Sequence, residues 1–288
     1  MKLIADSGST KTDWCIINND GSNKKVLNTV GYNPYFIDTE SIFASISENL
    51  LPHIEAEKIQ EVFFYGAGCS TPEKVDTVKK ALKKCFTNAT EIFVGHDLLA
   101  AARALLGTEK GFAAILGTGT NTCIYNGFDV ETNIDSLGYL LGDEGSASYL
   151  GKKLVRDFMR GRLEPNMHNR FKERFGIENN EQIFTTLYTT QFPNRYLAGF
   201  AKFADEYSNH PYIRNKVRDG FYDFFKNLVS KYPNYKNFKF NCVGSVAFYY
   251  KDILEETAQR FDMPFGIIIQ SPLNNLVEYH LKKYKPRA

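Results

Sequence analysis

The sequence predicts an α/β protein of two domains, each running βββαβαβα, the second interrupted by a long helical insertion. Three observations predict it. Strand-length apolar or alternating runs are interleaved with stretches of helical period, the pattern of packed α/β layers. A turn rich in threonine after the first strand, Gly8-Ser9-Thr10-Lys11-Thr12, has a counterpart about 110 residues later at Gly117-Thr118-Gly119-Thr120, so Thr10 and Thr12 fall on Thr120 and Thr122. The chain's 288 residues also exceed one ordinary domain of about 100–200 residues.

The elements follow in order. Lys2 to Ser7 is an apolar run, Thr12 to Asn18 alternates, and Lys25 to Val30 is a third strand after the turn Asn19-Asp20-Gly21-Ser22. Thr39 caps a helical pattern reaching Leu51. Strand Glu61 to Tyr65, helix Pro72 to Phe86, strand Thr90 to Val94 and helix Asp97 to Leu106 complete the first half. The second half opens with strands Gly111 to Leu116 and Thr120 to Asn126, followed by a helix-rich stretch over 146–231. Strand Phe238 to Val243, helix Ser245 to Phe261, strand Phe265 to Ile269 and a helix from about Leu273 to Tyr284 close the chain. These spans place one repeat at 1–107 and a second at 108–288, with its insertion at about 146–231. The C-terminal helix is expected to pack back toward the first domain. No Pro/Gly/Ser-rich linker separates the halves, so a tight hinge near Gly107 is expected, with a ligand cleft between them.

Composition narrows the function. With 35 Lys plus Arg against 33 Asp plus Glu, the net charge of +2 gives no electrostatic footprint for nucleic acid or anionic lipid. An apolar share of 43% excludes wholesale disorder. No segment approaches the roughly 18 consecutive apolar residues of a membrane span, and Asp6 interrupts the amino terminus before a signal-peptide core can form. A soluble, cytoplasmic protein is expected. The five cysteines and five histidines are scattered, without zinc-site spacing, and read as reduced thiols and isolated imidazoles.

Several constellations can carry chemistry. In the turn Gly8-Ser9-Thr10-Lys11-Thr12, glycine permits close backbone approach and several N–H groups can converge on phosphate oxygens. Read by itself it is equally an ordinary β-turn. Its twin at Gly117-Thr118-Gly119-Thr120 favours a polyphosphate gripped from both domains. Gly117-x-Gly119 is not a dinucleotide fingerprint, because Thr122 holds the third glycine position and a strand follows. Asp6 either holds a magnesium ion or bonds the turn's own N–H groups. Asp97 opens a helix, as an N-cap or with an oxygen left for substrate. Gly142-Asp143-Glu144-Gly145 precedes another helix with the same ambiguity, and Gly244-Ser245 ends a buried strand where a flat adenine can lie against backbone.

Asp6-x-Gly8-x-Thr10-Lys11-Thr12, Gly117-Thr118-Gly119-Thr120-Asn121, Gly142-Asp143-Glu144-Gly145-Ser146-Ala147, Arg195-Tyr196-Leu197-Ala198-Gly199-Phe200 and Cys242-Val243-Gly244-Ser245-Val246 occur in this order. Over nearly the whole chain the pattern resembles the BadF/BadG/BcrA/BcrD ATPase-like family, and within it N-acetylglucosamine kinases. The resemblance implies an actin/hexokinase-type fold of two ribonuclease H-like domains, and transfer of the γ-phosphate of ATP, with Mg²⁺ at Asp6, to the 6-hydroxyl of an amino sugar. It implies Asp97 as general base. Asn33, Gly66-Ala67-Gly68, Thr118, Leu137, Gly138 and Asp143 fall at the sugar site, with Thr118 also near the γ-phosphate. The two turns fall on the phosphates, and Gly244 and Ser245 on adenosine. Leu137-Gly138 stands where animal enzymes have Trp-Gly, and Gly66-Ala67-Gly68 lacks the usual serine, whereas Ser245 after Gly244 matches the sugar-kinase branch. The alternatives are a kinase for N-acetylmuramate or glucosamine, and an ATPase activator subunit of a reductase or dehydratase, whose shared cluster would need converging cysteines. A homodimer is the commonest assembly expected of such a chain.

Overall fold

The computed structural model describes residues 1–282. It divides into two compact units. One contains Met1–Lys110, Asn126–Val130 and the chain from Ser271; the other contains Gly111–Tyr125 and Glu131–Gln270.

In the first unit β1 (Lys2–Ser7), β2 (Lys11–Ile17) and β3 (Lys25–Val30) form an antiparallel meander. Strands β4 (Glu61–Gly66) and β5 (Glu91–His96) join in parallel beside β1, giving the order β3-β2-β1-β4-β5. Alternation decides the faces. Leu3, Ala5, Trp14, Ile16 and Phe64 point to one side, where Ile42 and Ile46 of α1 (Thr39–Asn49) and Val78 and Leu82 of α2 (Pro72–Cys85) cover them. The single tryptophan is fully buried there, its indole N–H donating to Thr29 Oγ1 at 2.8 Å. The other side carries α3 (Asp97–Leu106) and the C-terminal helix Leu273–Leu281. His280 of that helix stacks on Phe63 at 3.9 Å and shares a hydrogen bond of 2.8 Å with Tyr65. Its expected continuation to Tyr284 lies outside the described residues.

The second unit repeats the plan. Strands β6 (Gly111–Leu116) and β7 (Thr120–Tyr125) are antiparallel, β9 (Phe240–Val243) and β10 (Phe265–Ile269) are parallel to β6, and the order is β10-β9-β6-β7-β8. Its third meander strand, β8 (Val130–Asn133), is short, polar and mostly exposed. The helices before β9 are α4 (Gly138–Leu141), α5 (Ala147–Met159), α6 (Pro165–Phe175), α7 (Asn180–Thr189), α8 (Pro193–Ala201), α9 (Phe203–Glu206) and α10 (Pro211–Asn227). Phe221, Phe224 and Phe225 of α10 pack on Phe112 and Phe240 of the sheet. The expected helix 245–261 is two, α11 (Ser245–Tyr249) and α12 (Lys251–Arg260), broken at Tyr250.

Strand register corrects the alignment of the two turns. Ser7 pairs with Thr12, leaving residues 8–11 in the first turn, while Leu116 pairs with Thr120, leaving 117–119 in the second. Thr120 is therefore the counterpart of Thr12, not of Thr10.

Candidate active site

In the first unit the parallel strands end level, with Ser7 beside Gly66 and Gly66 beside His96. This register gathers Asp6, the loop 66–68 and the His96–Asp97 junction at the carboxyl edge of the sheet, where ligands of α/β folds bind. The turn is closed by the Gly8 N–H donating to the Lys11 carbonyl at 2.9 Å. Thr12 is fully buried, its hydroxyl donating to Val30 O at 2.9 Å and sharing a hydrogen bond of 2.7 Å with Ser7. Its side chain thus serves the sheet, and Ser9, Thr10 and Lys11 are the turn's more accessible members. Lys11 pairs with Asp13 at 2.9 Å, and Asn28 also donates to that carboxylate.

Asp6 lies directly across from Asp13. Its carboxylate makes no hydrogen bond among the described residues, so it does not brace the turn. Burial first, then the charges of Asp97 and Asp13, push its pKa up to about 7, with Lys11 opposing. A carboxylate crowded by two others and lacking donors is a group that a cation stabilises.

Asp97 is half-buried at the first position of α3, and it is not the cap. That role belongs to His96, whose Nδ1 accepts the Leu99 N–H at 3.1 Å. Asp97 Oδ1 accepts the neighbouring Leu98 N–H at 2.9 Å, and Oδ2 makes no hydrogen bond among the described residues. Burial raises the Asp97 pKa, with the nearby imidazole opposing, and burial lowers that of His96.

Asn33 and the 66–68 loop meet. Asn33 Oδ1 accepts the Tyr35 N–H at 3.0 Å, and a Cβ added at Gly68, where φ is +81°, would lie 2.2 Å from that oxygen. The Ala67 N–H donates to Ser7 O at 2.8 Å, tying the loop to the end of β1.

The second unit has its own edge. The Gly117 and Thr118 carbonyls accept the first N–H groups of α5, from Ala147 at 2.9 Å and Ser148 at 3.0 Å, while Ser146 Oγ accepts from Tyr149 at 3.2 Å. The turn thus seats the helix. Asp143 is buried, in the left-handed region at φ 55°, and accepts the Thr120 N–H at 3.0 Å. The Thr120 hydroxyl donates to Glu144 O at 2.7 Å, so this threonine too is engaged within the fold. Burial raises the Asp143 pKa, and Lys152, whose ammonium donates to Tyr139 O at 2.9 Å, opposes the shift. Gly244, at φ 131°, lies so close to β6 that a Cβ there would be 2.2 Å from Leu116 O. Ser245 beside it is exposed, as is Leu137 before Gly138.

Each unit therefore gathers its share of the expected residues: Asp6, residues 8–11, Asn33, 66–68 and Asp97 in the first, and 117–120, Asp143 and Gly244–Ser245 in the second. His96 and Asp13 were missed. The signals were present, as a polar side chain immediately before the helix acid and a second acid two residues after Lys11.

No protein-family model matches the chain. Among solved structures it is similar to a candidate N-acetylglucosamine kinase of Porphyromonas gingivalis, with 36% identity over 98% of this chain and 99% of that one and a TM-score of 0.92. A candidate N-acetylglucosamine kinase of Chromobacterium violaceum shares 16% identity over 98% of both chains at a TM-score of 0.71. A ROK-family glucokinase of Streptomyces griseus, solved with glucose and AMPPNP, shares 16% over 96% of this chain and 97% of that one at 0.52. Duplicated sheets, paired turns and these similarities define an actin-fold kinase of the sugar-kinase class. The chain belongs to the BadF/BadG/BcrA/BcrD ATPase-like family, in its N-acetylglucosamine kinase branch.

Proposed function

We propose that this kinase transfers the γ-phosphate of ATP to the 6-hydroxyl of N-acetylglucosamine, with Asp97 as general base. The observation that carries the reading is the division of labour at α3: His96 caps the helix, which leaves an Asp97 oxygen for a substrate hydroxyl. The similarity to the Porphyromonas gingivalis protein supports the sugar.

Phosphoryl transfer asks for positioning and charge neutralisation more than covalent help. In this reading the turns 8–11 and 117–119 hold phosphates through backbone N–H groups and the Thr118 side chain, and Gly244 and Ser245 adjoin adenosine. Asn33, 66–68, Leu137, Gly138 and Asp143 serve the sugar. Asp97 takes the proton of the attacking hydroxyl, and burial, by raising its pKa, makes it a stronger base than an exposed carboxylate. Asp6 fits a magnesium ion bound through one carboxylate, water and phosphate oxygens, since its charge is otherwise unrelieved. The ion would supply neutralisation of the β- and γ-phosphates.

Incubation with Mg·ATP and N-acetylglucosamine should yield the 6-phosphate, with N-acetylmuramate and glucosamine in the same panel as competitors for the assignment. ATP turnover indifferent to any sugar would overturn it. The Asp97→Asn enzyme should lose about 10²–10⁴-fold in kcat while binding Mg·ATP as before; a retained kcat would return Asp97 to a structural role. An activator role is not favoured, because all five cysteines are buried.

A further inference from the structure

A cavity of about 350 Å³ lies within the helical insertion of the second unit, a size typical of small-molecule sites. Its walls come from the end of α6, the turn after it, α7 and α8, and include none of the residues assigned above to ATP or sugar. Phe175, Ile177 and Phe200 make them largely apolar. The polar side chains contributed by α7 are already occupied. Gln182 accepts the Glu178 N–H at 2.9 Å and donates to Gly176 O at 3.4 Å, and the Thr186 hydroxyl donates to Gln182 O at 2.9 Å.

Arg195 is different. Its guanidinium lies 3.9 Å from the centroid of the Phe192 ring, its buried Nε has no hydrogen-bond partner, and no carboxylate pairs with it among the described residues. Burial lowers its pKa with no charge to oppose the shift. A partly desolvated guanidinium without an acceptor is costly, and the ring face recovers only part of that cost. The helix that carries it is held firmly, since α8 lies so close to α5 that a Cβ at Gly151 would sit 1.9 Å from Leu197 O.

We propose that this cavity binds a small organic carboxylate, its charge paired with Arg195 and its aromatic or branched body against Phe175, Ile177 and Phe200. A carboxylate matches the single cation on the wall, whereas a phosphate dianion calls for more donors than the lining provides. Gly199 opens onto the cavity with no atom within 4 Å of an added Cβ, so a larger side chain there can fill the space while leaving Arg195 intact.

The test is titration of the full chain with 4-fluorobenzoate, followed by ¹⁹F NMR, against 4-fluorobenzyl alcohol and inorganic phosphate. The carboxylate should bind the unmodified enzyme and the Asp97→Asn enzyme equally, and the alcohol about tenfold more weakly or worse. Arg195→Gln and Gly199→Leu should each weaken the carboxylate about tenfold or more, with sugar-kinase turnover and melting temperature retained to show that both variants are folded. Equal binding by these two variants, no binding by the unmodified enzyme, or phosphate binding as tightly as the carboxylate would overturn the proposal.

Discussion

His96 performs a task that would otherwise fall to Asp97. With Nδ1 on the Leu99 N–H, it satisfies an orphan donor of α3 and keeps the acid's Oδ2 out of the helix. His96→Ala should lower stability by about 0.5–2 kcal/mol, as lost caps do. It should also lower kcat with the KM for ATP unchanged, because Asp97 is then drawn toward the vacant N–H. His96→Asn restores an acceptor and should recover both, whereas a purely structural His96 would change the melting temperature and leave kcat alone. The pH profile gives a further readout: a base must be ionised, so the raised pKa of Asp97 places the acid limb of kcat/KM above the ordinary carboxylate range. The sequence pointed to Asp97 but not to its release, because Asp is a common cap and His an uncommon one. The same one-residue slip occurs at α1, where Asp38 rather than Thr39 accepts the Ser41 N–H at 2.8 Å, and the Thr39 hydroxyl instead donates to Thr77 O at 2.9 Å.

Elements were legible in proportion to how much apolar surface they bury. Strands β1, β4, β6 and β9 are almost wholly buried and read as apolar runs. Strand β8, Val-Glu-Thr-Asn at a sheet edge, has no such pattern and was not found, although the duplicated plan required it. The break at Tyr250 carries no Gly or Pro, so nothing local announces it. The C-terminal helix was found by its period, but the chemistry that seats it was not. His280 lies between Phe63 and Tyr65, and burial, with the charges of Arg103 and Lys2, lowers its pKa from 6.5 to about 3. The folded state therefore keeps the ring neutral while the unfolded chain protonates it below its ordinary value. The stabilisation is complete above pH 6.5 and is lost as pH falls from there toward 3. The protection factors of the C-terminal helix, which are exchange rates referred to the intrinsic rate at each pH, should fall on going from neutral to mildly acidic buffer in the unmodified protein. In His280→Gln that fall should be absent; equal acid sensitivity in the two would sink the assignment.

At the scale of the whole molecule, the duplication was visible because the two turns repeat hydroxyl chemistry. The chain's path was less visible, because contacts rather than composition decide which segments belong together. The sequence divided the chain at 107 and expected the C-terminal helix to return to the first domain; the first unit collects that segment, beginning at Ser271, and also Asn126–Val130, which nothing in the sequence marked. The reason is packing: Leu273, Leu276 and Val277 bury one stripe of the C-terminal helix against α3 and the first sheet, and Asn275 donates to Ala104 O at 2.9 Å. At about 1.5–3 kcal/mol for each buried aliphatic side chain, that stripe is a large part of the roughly 5–15 kcal/mol that holds a domain folded. Ending the chain at Gln270 should therefore damage the amino-terminal unit rather than the one whose sequence it adjoins. Amide exchange read by mass spectrometry should show protection falling in β1, β4 and α3 while β6 and β9 keep theirs. If protection instead fell first in β9 and β10, the helix would belong energetically to the second unit, and the partition of the chain described here would be wrong.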